Sequence, residues 1–365
     1  MFVKTDLVVL NFGGPRTDEE VEPFLFELFN DPDLIHLPMG PRFQERFAKI
    51  ISSRRSKTLK EHYAHIGGSP LVPTTDAQVE ALREALGPDA PTIHVGMRYT
   101  APTIDHLVAS VAKAPPERIV AIALFPHYSD TTTGSSFNAF SAAMARAGLG
   151  GIPVRYVPAF YDHPAYIEAM VDLIGRAAAD APDDAHILFS AHGLPSTYYK
   201  TDADPYPNQI HDSVRLIMRA LPQPRPYSLA FQSRVGPTRW LAPSVETELG
   251  RLADRDTHHV VVVPLSFVTE GIETLYEIDE EIRAFATGRG VTLHRVPAVD
   301  THPRFIAALA EVVRAALADD SEGGLGQHTC VRCLLPRPHQ HRTRVRCLDC
   351  NHRTPEYLLR LPPRP

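Results

Sequence analysis

Short runs of β-branched and apolar residues alternate along this chain with stretches whose apolar positions recur at helical spacing. The runs at 7–12, 118–125, 154–157, 186–190, 227–231, 259–267 and 292–296 read as strands. Helical periodicity covers 74–86, 166–179, 209–221, 244–253, 274–286 and 303–317. An earlier helix is announced by a capping-box pattern, Thr17 with Glu20 three residues on, ahead of Phe24, Leu25 and Leu28. Strands alternating with helices predict βαβ units and a mostly parallel sheet. The alternation runs twice, before and after about residue 160, without a clear sequence repeat. The expected fold is therefore α/β: two similar doubly wound lobes, residues 1–160 and 161–318, with parallel sheets around a central cleft.

A chain of 365 residues exceeds the usual size of a single core, which agrees with two lobes. No apolar run approaches the roughly 20 residues of a membrane helix, and the amino terminus lacks the pattern of a signal peptide. A cytoplasmic protein is expected, with peripheral membrane contact left open. Charge divides the chain unevenly. Residues 327–365 hold eight Arg, no Lys and two acidic residues, Asp349 and Glu356, a net +6 in a chain whose total is −6. All four cysteines lie in this basic stretch, and residues 319–326 have the composition of a linker. The third expected unit is thus a small cysteine-rich carboxyl-terminal appendage.

Two strand ends carry the chemistry. Ser190-Ala191-His192-Gly193-Leu194-Pro195 follows one apolar run, and Thr269-Glu270-Gly271-Ile272-Glu273 follows another. In open α/β sheets ligands bind at the carboxyl ends of the strands, so His192 and Glu273 are candidates for metal binding, proton transfer or both. A histidine merely bonded at a strand end is the plainer reading of His192. Glu273, Glu277 and Glu281 recur every four residues and share a helix face, either as a path for a hydrated cation or as a solvated acidic face. The loop from Phe125 to Ser136 offers hydroxyls and amides for an anion, or for its own turns. The glycines after the first strand lack the dinucleotide fingerprint, and no G-x-S-x-G elbow is present.

Asn11-Phe-Gly-Gly-Pro15, Tyr63-Ala-His-Ile-Gly-Gly-Ser-Pro70, Gly96-Met-Arg-Tyr99, Pro126-His-Tyr-Ser129 with Thr133-Gly-Ser-Ser136, Ser190-Ala-His-Gly-Leu-Pro195, Asp204-Pro-Tyr-Pro207, Gln232-Ser-Arg-Val-Gly-Pro237 with Trp240-Leu241, and Glu273-Thr-Leu-Tyr-Glu-Ile-Asp279 follow one another in order. This series resembles that of the ferrochelatases and spans nearly the whole body. The resemblance implies a lyase-class metal chelatase that inserts ferrous iron into a porphyrin, protoporphyrin IX or coproporphyrin III, in haem biosynthesis. It implies His192 and Glu273 as the metal-site residues, and places Phe12 and Trp240 against the macrocycle. Tyr63, Tyr99 and Tyr128 stand in or beside matching motifs, and Arg98 is a candidate partner for a propionate. The chemistry suits these residue types, since imidazole and carboxylate form a weak, open shell for ferrous iron. Gly271 departs from the pattern where many members carry histidine, with Glu270 beside it as a substitute polar contact. Phe12 stands where members that take coproporphyrin III often have tyrosine, so it does not choose the substrate.

In the appendage, Cys330-Val-Arg-Cys333 and Cys347-Leu-Asp-Cys350 are two C-x-x-C knuckles with thirteen residues between them. Their spacing favours structural Zn2+, with a [2Fe-2S] cluster as the second reading. The competing function is a haem-binding or regulatory protein with a zinc-knuckle tail, its basic charge set against an acidic partner. That reading leaves His192 and Glu273 unexplained; nucleic acid is not expected, and the sequence does not give the oligomeric state.

Overall fold

Two four-stranded parallel sheets with the same strand order organise the chain in a computed structural model, which describes residues 3–35, 37, 40–196, 204–234 and 239–318. In the first, β1 (Thr5–Asn11), β2 (Ile93–Met97), β3 (Arg118–Ala123) and β4 (Val154–Val157) run in the order β2-β1-β3-β4. In the second, β5 (His186–His192), β6 (Tyr227–Gln232), β7 (His259–Pro264) and β8 (Thr292–Arg295) run β6-β5-β7-β8. Neighbouring strands pair in parallel in both.

Residues alternate between the two faces of each strand, and both faces are apolar because helices cover both. Leu7, Val9, Val120 and Ile122 of the first sheet share one core with Ile187, Phe189, Val261 and Val263 of the second. Val8, Leu10, Ile119 and Ala121 turn to a separate core on the first lobe, and Leu188, Val260 and Val262 to one on the second. Each fully buried Val, Leu or Ile contributes about 1.5–3 kcal/mol.

The helices are α1 (Asp18–Asn30), α2 (Pro41–His65), α3 (Leu71–Leu86), α4 (Ile104–Val111), α5 (Ser135–Arg146), α6 (Pro164–Ala178), α7 (Tyr206–Ala220), α8 (Val245–Ala253), α9 (Arg283–Thr287) and α10 (Pro303–Ala318). Two π-helical segments, Asp130–Gly134 and Glu273–Ile282, follow the third strand of each lobe. The expected capping box of α1 does not form. Thr17 makes no side-chain cap bond, and Glu20 instead pairs with Arg16 at 2.9 Å. A box does form at Thr103 and His106 ahead of α4.

The halves repeat in detail. Ala101-Pro102 and Ala242-Pro243 are both cis, each lies after the second strand of its lobe, and each is followed by a hydroxyl residue that caps the next helix, Thr103 or Ser244. The Met97 amide donates to the Pro102 carbonyl at 2.7 Å, and the Phe231 amide to the Pro243 carbonyl at 2.9 Å. With Asn11 opposite Met97 and Ala191 opposite Phe231, the repeat makes Phe12 the counterpart of His192, and Arg98 that of Gln232.

Several contacts link the lobes. Buried Gln78 of α3 donates its amide to the Val268 carbonyl at 3.1 Å and the Asp300 carbonyl at 2.9 Å. Tyr128 donates its backbone amide to Gln209 at 2.7 Å, and the Ser129 hydroxyl donates to Asp204 at 2.8 Å. The end of α10 returns to the first sheet, where Arg118 and Arg155 donate to the carbonyls of Leu317 and Ala316 at 2.7 and 2.8 Å.

Candidate active site

His192 is the last residue of β5 and is half-buried at the carboxyl end of the strand. Its backbone is fixed on both sides: the amide donates to the Ser266 hydroxyl at 3.2 Å, and the carbonyl accepts the Tyr206 hydroxyl at 2.9 Å. The edge of Phe267 meets the imidazole ring with centroids 6.1 Å apart. Burial pushes the imidazole pKa down to about 4, so at neutral pH the ring is uncharged and keeps a free lone pair.

Glu273 opens the second π segment, and burial raises its carboxyl above the ordinary range. A side chain at Gly271 would place its Cβ 3.0 Å from Glu273 Oε2, so the glycine leaves that carboxylate its room. Glu277 is pushed up to about 7 by burial first and by the Glu273 charge second. The i→i+5 bonding of a π segment widens the turn, yet Thr274, Ile278 and Ile282 still face the core every fourth residue. The acidic row lies one residue earlier and runs outward, from half-buried Glu273 and Glu277 to exposed Glu281. Glu270 takes no part in this row. It accepts from Arg295 at 2.8 Å and from the Ala298 amide at 2.9 Å, and Arg295 also grips Asp279.

The first lobe reaches across through α2. Tyr63 is buried beside Glu273 and Glu277, which add to burial in holding its phenol protonated. One residue before it, His62 stacks on Tyr276 with ring centroids 4.0 Å apart, and His65 pairs with Glu280 at 3.3 Å.

The aromatic candidates fall into two groups. Phe12 and Trp240 keep partial exposure at the strand ends. Phe12 packs edge-on against Tyr99 at 4.7 Å, and Trp240 lies over Gly193, where an added Cβ would sit 3.2 Å from its ring. The indole Nε1 of Trp240 has no hydrogen-bond partner among the described residues. Tyr99 and Tyr128 are interior instead, donating to Asp31 at 2.6 Å and Asp130 at 2.9 Å. Arg98 is committed to Asp31 at 2.8 Å, donates to Ser135 at 2.8 Å and lies 4.7 Å over the Tyr99 ring.

Reading the sequence missed Gln232 as more than a motif residue. It is buried at the end of β6, opposite His192, and no charge or metal-ligand spacing marks it. Among the described residues no three His, Cys, Asp or Glu side chains gather into a metal-binding cluster. The four appendage cysteines, Cys330, Cys333, Cys347 and Cys350, lie outside the described residues.

A parallel α/β pair with an imidazole at one strand end and carboxylates on the helix after another defines a chelatase-type protein. The same fold is found in SirB from Bacillus subtilis, solved with Fe3+, at a TM-score of 0.53 and 13% identity, covering 86% of this chain and 96% of that one. The ferrochelatase family profile matches residues 4–317. The ferrochelatase of Synechocystis sp. is 44% identical over 324 residues, 87% of this chain and 83% of its own length. That of Gloeothece citriformis is 42% identical over 325 residues, 87% and 84% of the two chains. The chain belongs to the ferrochelatase family.

Proposed function

We propose that this chain inserts ferrous iron into a porphyrin in haem biosynthesis, with His192 on one side of the macrocycle centre and Glu273 and Glu277 on the other. The reaction exchanges two pyrrolic protons for one Fe2+, which gains four nitrogen donors. Neutral His192 accepts the two pyrrolic protons in turn, and because burial disfavours the imidazolium it gives up the first to solvent before it takes the second. The Glu273 and Glu277 carboxylates hold the hydrated ion loosely enough to release it. Phe12 and Trp240 supply the apolar faces a macrocycle needs. The observation that carries this assignment is an imidazole kept neutral in a wall joined through Gln232 to the Glu273 backbone carbonyl and the Glu277 carboxylate.

The test is an anaerobic assay with ferrous iron and each of protoporphyrin IX and coproporphyrin III. His192→Ala and Glu273→Gln should each bind porphyrin and fail to metallate it. Near-normal turnover in either would remove that residue from the mechanism, and a parent protein that binds haem but metallates neither porphyrin would favour the regulatory reading.

The partners include an anionic lipid surface. No helix among the described residues is long and apolar enough to cross a membrane. On α2, however, Phe43 and Ile50 are 39% and 56% exposed beside exposed Arg42, Arg46, Lys49, Arg54 and Lys57. A basic face carrying apolar side chains suits an anionic interface. Sedimentation with anionic vesicles should carry the protein down, and equal recovery without vesicles would refute the contact. The appendage is assigned structural zinc from the spacing of its cysteines.

A further inference from the structure

Gln232 has every polar group of its side chain engaged, and each contact leads to a different part of the proposed site. The Ser190 hydroxyl donates to Oε1 at 2.5 Å. The side-chain NH2 donates to the Glu273 carbonyl at 2.8 Å and to Glu277 Oε2 at 3.0 Å. Its own carbonyl accepts the Gly193 amide at 2.9 Å, directly after His192. An added Cβ on Gly193 would lie 2.8 Å from that carbonyl, so the approach is close. The amide has one orientation. Turned over, Oε1 would face a carbonyl and a carboxylate, two acceptors with no proton between them. Ser233, in left-handed backbone at φ 62°, adds a second donor to Glu277 Oε2 at 2.5 Å.

The internal repeat supports the same role. Arg98, the counterpart of Gln232, donates to Ser135, directly after the first π segment. Gln232 donates to the first residue of the second π segment. In each lobe, then, a residue at the end of the second strand or just past it ties the strand ends to the π segment beyond the third strand. In the second lobe that tie runs between the imidazole and the carboxylates.

We propose that Gln232 is a positioning residue that fixes the spacing between the His192 strand end and the Glu273–Glu277 face through its side-chain amide. The proposal rests on the chelatase reading above. Metal transfer between two walls depends on their separation, and a displacement of about 1 Å costs roughly 100-fold in rate.

The experiment compares Gln232→Leu, which removes all three side-chain bonds, with Gln232→Glu, which keeps the shape and the Ser190 contact but replaces the NH2. Both are measured for ferrous-iron turnover, porphyrin affinity and thermal unfolding. Quenching of Trp240, the one tryptophan of the chain and a neighbour of Gly193, by Co2+ gives a readout that does not need turnover. Both variants should lose about 10- to 100-fold in kcat, keep porphyrin affinity within about twofold, and need higher Co2+ for half-quenching. Turnover within about twofold of the parent in either folded variant would overturn the proposal. So would a loss of kcat that only tracks lost porphyrin binding or lost folding across the two variants. A parent protein that responds to Co2+ but metallates no porphyrin would overturn the chelatase reading instead, leaving the positioning role to be judged on the quenching shift.

Discussion

Asp31 and Arg98 decide whether the first lobe offers a cationic handle to the substrate or uses it internally. The Asp31 carboxylate is fully buried at the end of α1, and the Arg98 side chain is 17% exposed. On Oδ2 the carboxylate accepts from Arg98 at 2.8 Å, from the Tyr99 hydroxyl at 2.6 Å and from the Ser135 hydroxyl at 2.5 Å. Its Oδ1 accepts the Asp33 amide at 2.8 Å. Removing one partner of a buried ion pair costs about 3–5 kcal/mol, mostly because the remaining charge is left uncompensated. Asp31→Ala should therefore destabilise by about that amount. Arg98→Met should cost less, about 2–3 kcal/mol, because three other donors still serve the carboxylate. With an unfolding entropy of about 2.1 cal/mol/K per residue, about 3–5 kcal/mol lowers Tm by roughly 5–8 °C in a body of this size. The double variant should lose less than the sum of the singles by about 1 kcal/mol or more. Thermal unfolding and porphyrin titration are measured on all four proteins. A Tm within about 1 °C of the parent in Asp31→Ala would refute the buried network. An unchanged Tm with a raised porphyrin KM in Arg98→Met would return Arg98 to the propionate.

Three further predictions concern other parts of the chain. Neutralising Glu277 and Glu281 together to Gln should raise KM for iron and leave that for porphyrin nearly unchanged; an effect on neither would make the row a solvated helix face. Burial holds His127 at about 3, whereas the unfolded chain titrates near 6.5, so the unfolded state binds a proton that the fold excludes. That share of stability is full above about pH 6.5 and is lost as pH falls toward 3, at about 1.4 kcal/mol per pH unit. His127→Gln, which can still meet Ser213, should show a shallower acid limb in unfolding titrations, and an identical limb would contradict it. Truncation after Asp320 should leave an active body, and the full-length chain should hold about one zinc by elemental analysis; brown protein with acid-labile sulfide would overturn the metal assignment.

The strands most legible in the sequence include those buried on both faces, where a run such as Val260-Val261-Val262-Val263 leaves little ambiguity. β2 escaped notice because Ile93-His94-Val95-Gly96-Met97 interrupts its apolar run with histidine and glycine. The glycine is required by packing, since a Cβ there would lie 2.8 Å from Leu107. α2 escaped for the opposite reason. Its buried positions include Gln44, Ala48, Ser52 and Ser56, small or polar residues that leave no apolar stripe to read. The chemistry at strand ends was legible as residue types, His192 and Glu273 above all. Partnership was not: nothing in the spacing shows that Arg98 is bound to Asp31, that Glu270 turns to Arg295, or that Gln232 joins two walls.

The repeated topology explains how one scaffold forms two unlike walls. At the end of the first strand the two lobes place Phe12 and His192 in equivalent positions. At the end of the second strand or just past it they place Arg98 and Gln232, and after the third a π segment that is hydroxyl-rich in one lobe and acidic in the other. In the first lobe the charge at these positions is neutralised internally by Asp31, leaving an aromatic face at Phe12. In the second, Gln232 holds the Glu273 backbone carbonyl, and the donors to the Glu277 carboxylate among the described residues are a neutral amide and a hydroxyl. Neutral donors position a carboxylate without cancelling its charge, so it stays available to a divalent ion. A flat, apolar macrocycle carrying two exchangeable protons needs that asymmetry. One lobe must supply a face to pack against it, and the other must supply both the carboxylates that deliver a metal and the imidazole that removes protons.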